Sequence, residues 1–74
     1  MSHFLKPSMP VSRGNAYLGQ GKFDKAISDY NEAIRLDPNH VRTYYNRGNA
    51  YVRTGERDKA DADFATAKRL KTGQ

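Results

Sequence analysis

Arg13-Gly14-Asn15-Ala16-Tyr17 returns unchanged as Arg47-Gly48-Asn49-Ala50-Tyr51, 34 residues further on. The same shift aligns Gly21 with Gly55 and Asp24-Lys25-Ala26 with Asp58-Lys59-Ala60. Beyond these, Asp29 meets Asp63, Ala33 meets Ala67, and Arg35-Leu36 meets Arg69-Leu70. Thirteen identities in one ungapped overlap of a 74-residue chain are not a chance event. A fixed period of this size marks a stacked array, in which each unit covers its apolar face with its neighbour. The chain reads as two copies of one unit.

Each copy holds two candidate helices divided by a glycine, Gly21 in the first and Gly55 in the second. Glycine suits the left-handed residue that closes a helix. Gly14 and Gly48 lie inside the first helix of each copy, where glycine costs about 1 kcal/mol relative to alanine. Their presence at both places implies that a neighbouring helix comes too close for a side chain. Ala26, Ala33, Ala60 and Ala67 supply a small face on the second helices, with Tyr30 and Phe64 as fillers. Small residues facing small residues predict a tight antiparallel helix pair.

This pattern resembles the tetratricopeptide repeat, whose signature runs Trp-x2-Leu-Gly-x2-Tyr, then Ala-x3-Phe, then Pro. The first copy matches with Gly14-x2-Tyr17, Ala26-x3-Tyr30 and Pro38; the second matches with Tyr44, Gly48-x2-Tyr51 and Ala60-x3-Phe64. The resemblance covers residues 7–74 and implies an all-α fold: two stacked antiparallel helix-turn-helix repeats, a short α-solenoid of four helices. Pro10 occupies the first aromatic slot, Arg13 and Arg47 replace the leucine, and Thr72 stands at the place of the closing proline.

The expected division is a tail over residues 1–6, a first repeat over 7–40 and a second over 41–74. Leu5-Lys6-Pro7 faintly echoes Leu36-Asp37-Pro38, out of register by three residues. Helix one is expected to start near Ser8 to Pro10, since serine caps helices and proline fits a first turn. It should run to about Gly19. Phe23, Ile27, Tyr30 and Ile34 form a helical stripe that predicts helix two, stopped by Asp37-Pro38-Asn39. Helix three is expected over about Val41 to Thr54, and helix four over about Arg57 to Leu70. Where helix two carries Phe23, Ile27 and Ile34, helix four has Arg57, Asp61 and Lys68. That exchange predicts a polar outer face on the last helix, the device by which terminal repeats stay soluble; the array is expected to stop there.

Composition narrows the classes. A single core of this size is marginal without further support. At 36% hydrophobic residues the chain suits a soluble helical protein, and no apolar run is long enough to span a bilayer. The first ten residues lack the charged start and continuous apolar block of a secretory signal. With no cysteine there is no disulfide framework and no thiolate site. The cytoplasm is the expected compartment. The net charge of +5 favours acidic partners.

Catalytic, metal and cofactor roles are not expected. His3 and His40 have no second ligand at metal-binding spacing. Carboxylates on the second helices stand beside lysines, and Lys25 with Asp29, or Lys59 with Asp63, have the i,i+4 spacing of surface ion pairs. Gly19-Gln20-Gly21-Lys22 lacks the preceding strand of a phosphate loop. Binding of protein is the better reading. The resemblance implies a concave face built from the first helix of each repeat, and here that face presents Asn15, Leu18, Arg42, Tyr45, Asn46, Asn49 and Arg53. Spacings of three and four place the helix-three members on one side. Asparagine amides pair with peptide backbone, and arginine forks onto carboxylates. Asn15 and Asn46 also match two of the five residues with which members of the family clamp the terminal carboxylates of chaperone tails. Val11 stands where the clamp lysine belongs, so such a clamp is not expected. The remaining motif residues, Gly14, Tyr17, Ala26, Tyr30, Gly48, Tyr51, Ala60 and Phe64, are assigned to helix packing. Two rival readings stand beside peptide binding. A short array with a weak N-terminal cover can self-associate into a homo-oligomer. A basic strip of Arg35, Lys68, Arg69 and Lys71 can touch phosphates nonspecifically, though interspersed acidic residues make nucleic acid the less favoured partner.

Overall fold

A computed structural model describes residues 8–73. It contains four helices: α1 (Ser8–Gly19), α2 (Phe23–Leu36), α3 (Val41–Thr54) and α4 (Arg57–Lys71), with no strand among the described residues. α1 packs on α2 and α3 on α4, while α3 also packs on α2 and touches α1 briefly. Two helical hairpins are therefore stacked through α2 and α3, the all-α repeat architecture anticipated from the period. The expected tail at residues 1–6 lies outside the described residues.

The hairpin turns are copies of each other. Gly21 and Gly55 take φ of +78° and +83°. The next amide reaches back to close the helix: Lys22 N–H donates to the Tyr17 carbonyl at 2.9 Å, and Glu56 N–H to the Tyr51 carbonyl at 2.8 Å. This is a Schellman closure, which needs a left-handed residue at the glycine position. The second helices end differently. Asp37, extended ahead of Pro38, stops α2; where the second copy lacks that proline, a further left-handed glycine, Gly73, follows α4.

Small residues make up most of the core. Ala26, Ala33, Ala50, Ala60 and Ala67 are buried together with Val11 and Tyr30. The reason for the interior glycines is direct: a Cβ on Gly14 would lie 2.7 Å from Cε1 of Tyr30, and one on Gly48 would lie 2.6 Å from Cε1 of Phe64. The aromatic ring of each second helix occupies the space that a side chain at the glycine of the first would need.

Across each hairpin runs a polar strut that replaces the expected surface pairs. Asp29 and Asp63 do not pair with Lys25 and Lys59; both are buried. Arg13 grips Asp29 with Nε and Nη2, each at 2.8 Å. Arg47 grips Asp63 with Nε at 2.8 Å and Nη2 at 2.7 Å. A forked guanidinium satisfies both carboxylate oxygens at once, which a lysine at i,i+4 on the outer surface cannot do. The lysines go elsewhere. Lys25 lies over the Tyr17 ring, and Lys59 bonds Glu56 while lying over Tyr51. Arg13 and Arg47, which depart from the leucine of the repeat signature, are thus each matched by a buried aspartate on the second helix.

The outer side of α4 is mixed. Arg57, Asp61 and Lys68 are exposed, and Arg57 bonds Asp61 at 3.2 Å. At the equivalent place in the first repeat, Phe23 lies under the guanidinium of Arg53, 4.8 Å from the ring centre.

Candidate functional site

α1 and α3 bring Asn15 and Asn46 together across the repeat boundary. Asn15 Oδ1 accepts two hydrogen bonds, one from the Tyr30 hydroxyl at 2.6 Å and one from Asn46 Nδ2 at 2.8 Å. A cluster drawn from three helices holds both amides in place. Burial, reinforced by the negative charge of Asp29, pushes the Tyr30 phenol up to about 12, so it stays a donor well into alkaline solution. Each amide keeps unused capacity. The Asn15 Nδ2 group and the Asn46 Oδ1 atom have no intramolecular hydrogen bond among the described residues. A free donor and a free acceptor thus stand side by side at the surface.

Arg42, Tyr45 and Asn46 line a groove of about 760 Å³ between α3 and α4. Tyr45 is 55% exposed, an uncovered aromatic on the groove's surface. Its ring is tilted on Phe64 with centroids 5.4 Å apart, and Val41 and Ala67 extend the same floor. Lys68 and Lys71 stand with Arg42 along the walls. No carboxylate lines this groove among the described residues.

Arg53 is not part of this grouping. It stacks on Phe23 beside Lys22, Lys25 and Thr54, in a separate hollow where α2 begins and α3 ends. Leu18 and Asn49 are half-buried on α1 and α3. Arg35, assigned above to a basic strip, instead bonds Glu32 through two nitrogens. That contact holds the Glu32 carboxyl below the usual carboxylate range.

Sequence reasoning assigned Phe64 to packing alone, and Lys68 and Lys71 to a phosphate strip. The signal for the groove was present in the repeat comparison: Lys68 and Lys71 replace Ile34 and Asp37. The Arg–Asp struts were also discoverable. Both residue types recur in both copies at one separation, 16 residues.

Stacked helical hairpins with an open first-helix face define a helical-repeat protein of the α-solenoid class. A family model described as "TPR repeat" matches residues 14–55, and another described as "Tetratricopeptide repeat" matches residues 41–73. The chain belongs to the tetratricopeptide repeat family. Repeats of this family mediate protein–protein interaction. A 34-residue stretch, 46% of the chain, is 44% identical to the Hsp70-Hsp90 organising protein of Plasmodium falciparum (isolate 3D7). The stretch spans 6% of that relative's length. Among the described residues, no helix is long and apolar enough to cross a membrane.

Proposed function

We propose that the chain is a peptide-binding module whose α1–α3 face receives an extended segment of a partner protein. The observation that carries this reading is the Asn15–Asn46 pair. Its free amide donor and acceptor match the C=O and N–H that one residue of an extended peptide turns to the same side, and the buried Tyr30 hydroxyl fixes their position. Backbone pairing of this kind is independent of side-chain sequence. Selectivity would come from Asn49, Leu18, Arg42 and Tyr45 around it. The relative that by name organises Hsp70 and Hsp90 makes tail peptides of those chaperones natural probes. With Val11 in the lysine position, they are expected to bind without a full carboxylate clamp.

The test is a selection of binders from a random decapeptide phage library, followed by titration of the best peptide. Asn46→Ala with Asn49→Ala should weaken it by about ten-fold or more, as the loss of one or two hydrogen bonds requires. The melting temperature should change little. Equal affinity in the double variant, or no enrichment of any peptide, removes the face from this role.

A further inference from the structure

The molecule contains its own example of how the α3–α4 groove can be filled. On the first hairpin the equivalent surface is covered by α3. That helix buries Thr43 and Ala50 completely, sets Asn46 on Asn15, bonds Arg47 Nη1 to Asn31 at 2.8 Å, and lays Arg53 over Phe23. On the second hairpin the same geometry stands open. Tyr45 and Phe64 form its floor where Val11 and Tyr30 are covered in the first.

The charges say what can sit there. Shifted by one repeat, Ile34 becomes Lys68, Asp37 becomes Lys71, Ser8 becomes Arg42, and Phe23 becomes Arg57; the one acid that α4 gains over α2, Asp61 in place of Ile27, is bonded to Arg57 and does not line the groove. A further helix resembling α3 would bring its counterpart of Arg53 onto Arg57. α1 of a second copy has Arg13 as its sole charged residue and no carboxylate to offer. Both occupants set cation against cation around a groove whose walls carry three cations and no acid.

We propose that this groove takes an acidic amphipathic helix from another protein, seated as α3 is seated on the first hairpin. Its apolar stripe covers Tyr45 and Phe64, and its carboxylates meet Lys68, Lys71 and Arg42. The site lies between α3 and α4 and shares Arg42, Tyr45 and Asn46 with the peptide face, while Lys68 and Lys71 belong to it alone. Helix-in-groove docking of this type is read by anchors at i, i+3, i+4 and i+7, and the cationic rim sets partner choice and association rate.

The experiment uses two designed helical peptides of roughly 18 residues, about five turns. They share one leucine stripe; one has glutamate flanks and the other lysine flanks. Fluorescence anisotropy against the full chain should favour the glutamate peptide by about ten-fold or more, and the preference should shrink as salt is raised to about 0.5 M. Lys68→Glu with Lys71→Glu should invert the order of the two peptides. Lys68→Gln with Lys71→Gln, which is milder at a helix C-terminus, should only level them. Tyr45→Ala should weaken the glutamate peptide while leaving the thermal melt in place. Equal binding of the two peptides, or indifference to the charge reversal, overturns the proposal. So does a concentration-dependent dimer abolished by Tyr45→Ala, which would give the groove to a second copy. The charge reversal is expected to leave the decapeptide binding of the α1–α3 face unchanged, so either reading can fail alone.

Discussion

Alanine at Gly14 and at Gly48 should have unequal effects, although the two sites repeat each other in sequence. The clash is similar: the new Cβ would lie 2.7 Å from Tyr30 at the first site and 2.6 Å from Phe64 at the second. Both replacements gain about 1 kcal/mol of helix propensity, and overpacking costs about 1–3 kcal/mol. The rings decide the balance. Tyr30 is fully buried and its hydroxyl is bound to Asn15, so a shift of the ring also strains a hydrogen bond with a net value of about 1 kcal/mol. Phe64 is half-buried, has no polar anchor, and borders an open groove into which it can swing. Gly14→Ala should therefore destabilise by about 2 kcal/mol, and Gly48→Ala should stay within about 1 kcal/mol of the parent. At about 4–8 °C per kcal/mol for a domain of this size, the first variant should melt roughly 8–16 °C lower. Circular dichroism at the helical minimum, followed through heating and urea titration, reads both. Gly19→Ala is the control, since a Cβ there meets nothing within 4 Å, and it should stabilise by a few tenths up to about 1 kcal/mol. A Gly14→Ala protein that melts at or above the parent, or a larger loss at Gly48 than at Gly14, refutes this account of the packing.

Arg47→Ala should cost more than Arg13→Ala in urea unfolding. Both leave a buried aspartate unpaired, but Arg47 also bonds Asn31 and lies over Tyr44 and Tyr51, tying the second hairpin to the first. The loss at Arg47 should be about 2–4 kcal/mol, a little under the roughly 3–5 kcal/mol for breaking one side of a fully buried pair because the Arg47 side chain is 20% exposed; equal losses would show that Arg47 adds nothing between repeats. Tyr30 gives a pH dependence with a definite sign. Its folded value is raised from 10.0 to about 12, so the stabilisation is complete below pH 10 and disappears as pH rises through about 12. The two-unit difference corresponds to about 3 kcal/mol. Tyr30→Phe should flatten the part of alkaline unfolding that follows the phenolate absorbance, and an unchanged alkaline midpoint would place the transition on another group. Gly55→Ala, at φ +83° with open space around it, should destabilise by about 1–2 kcal/mol through backbone strain alone; a neutral result in thermal melts would mean the turn rearranges.

How far the chain could be read in advance depended on the range of the interaction involved. Helix limits, the turn glycines and the small packing faces came from signals within a few residues of each other, repeated in both copies. Gly14 and Gly48 were legible for the same reason: a glycine kept inside a helix at two matching places implies close approach wherever the neighbour lies. Arg53 was not legible. Its position along α3 puts it on a face with Arg42, Tyr45 and Asn46, but Phe23 at the start of α2 draws it into another hollow. Of the basic strip, Arg35 is bonded to Glu32 while Lys68 and Lys71 line the groove, a lining that no spacing along the chain announces.

By itself, then, the sequence determined the duplicated hairpin, its family and the direction in which each helix face points. Tertiary structure alone decided which side chains meet: Arg13 with Asp29 in place of Lys25, Asn15 with Asn46, and Tyr45 tilted on Phe64 in a groove lined by three cations. Periodicity specifies a face of one helix. The partner of a side chain on that face depends on how far the next helix is slid and rotated, and that register is set by the rings of Tyr30 and Phe64 seated on glycine.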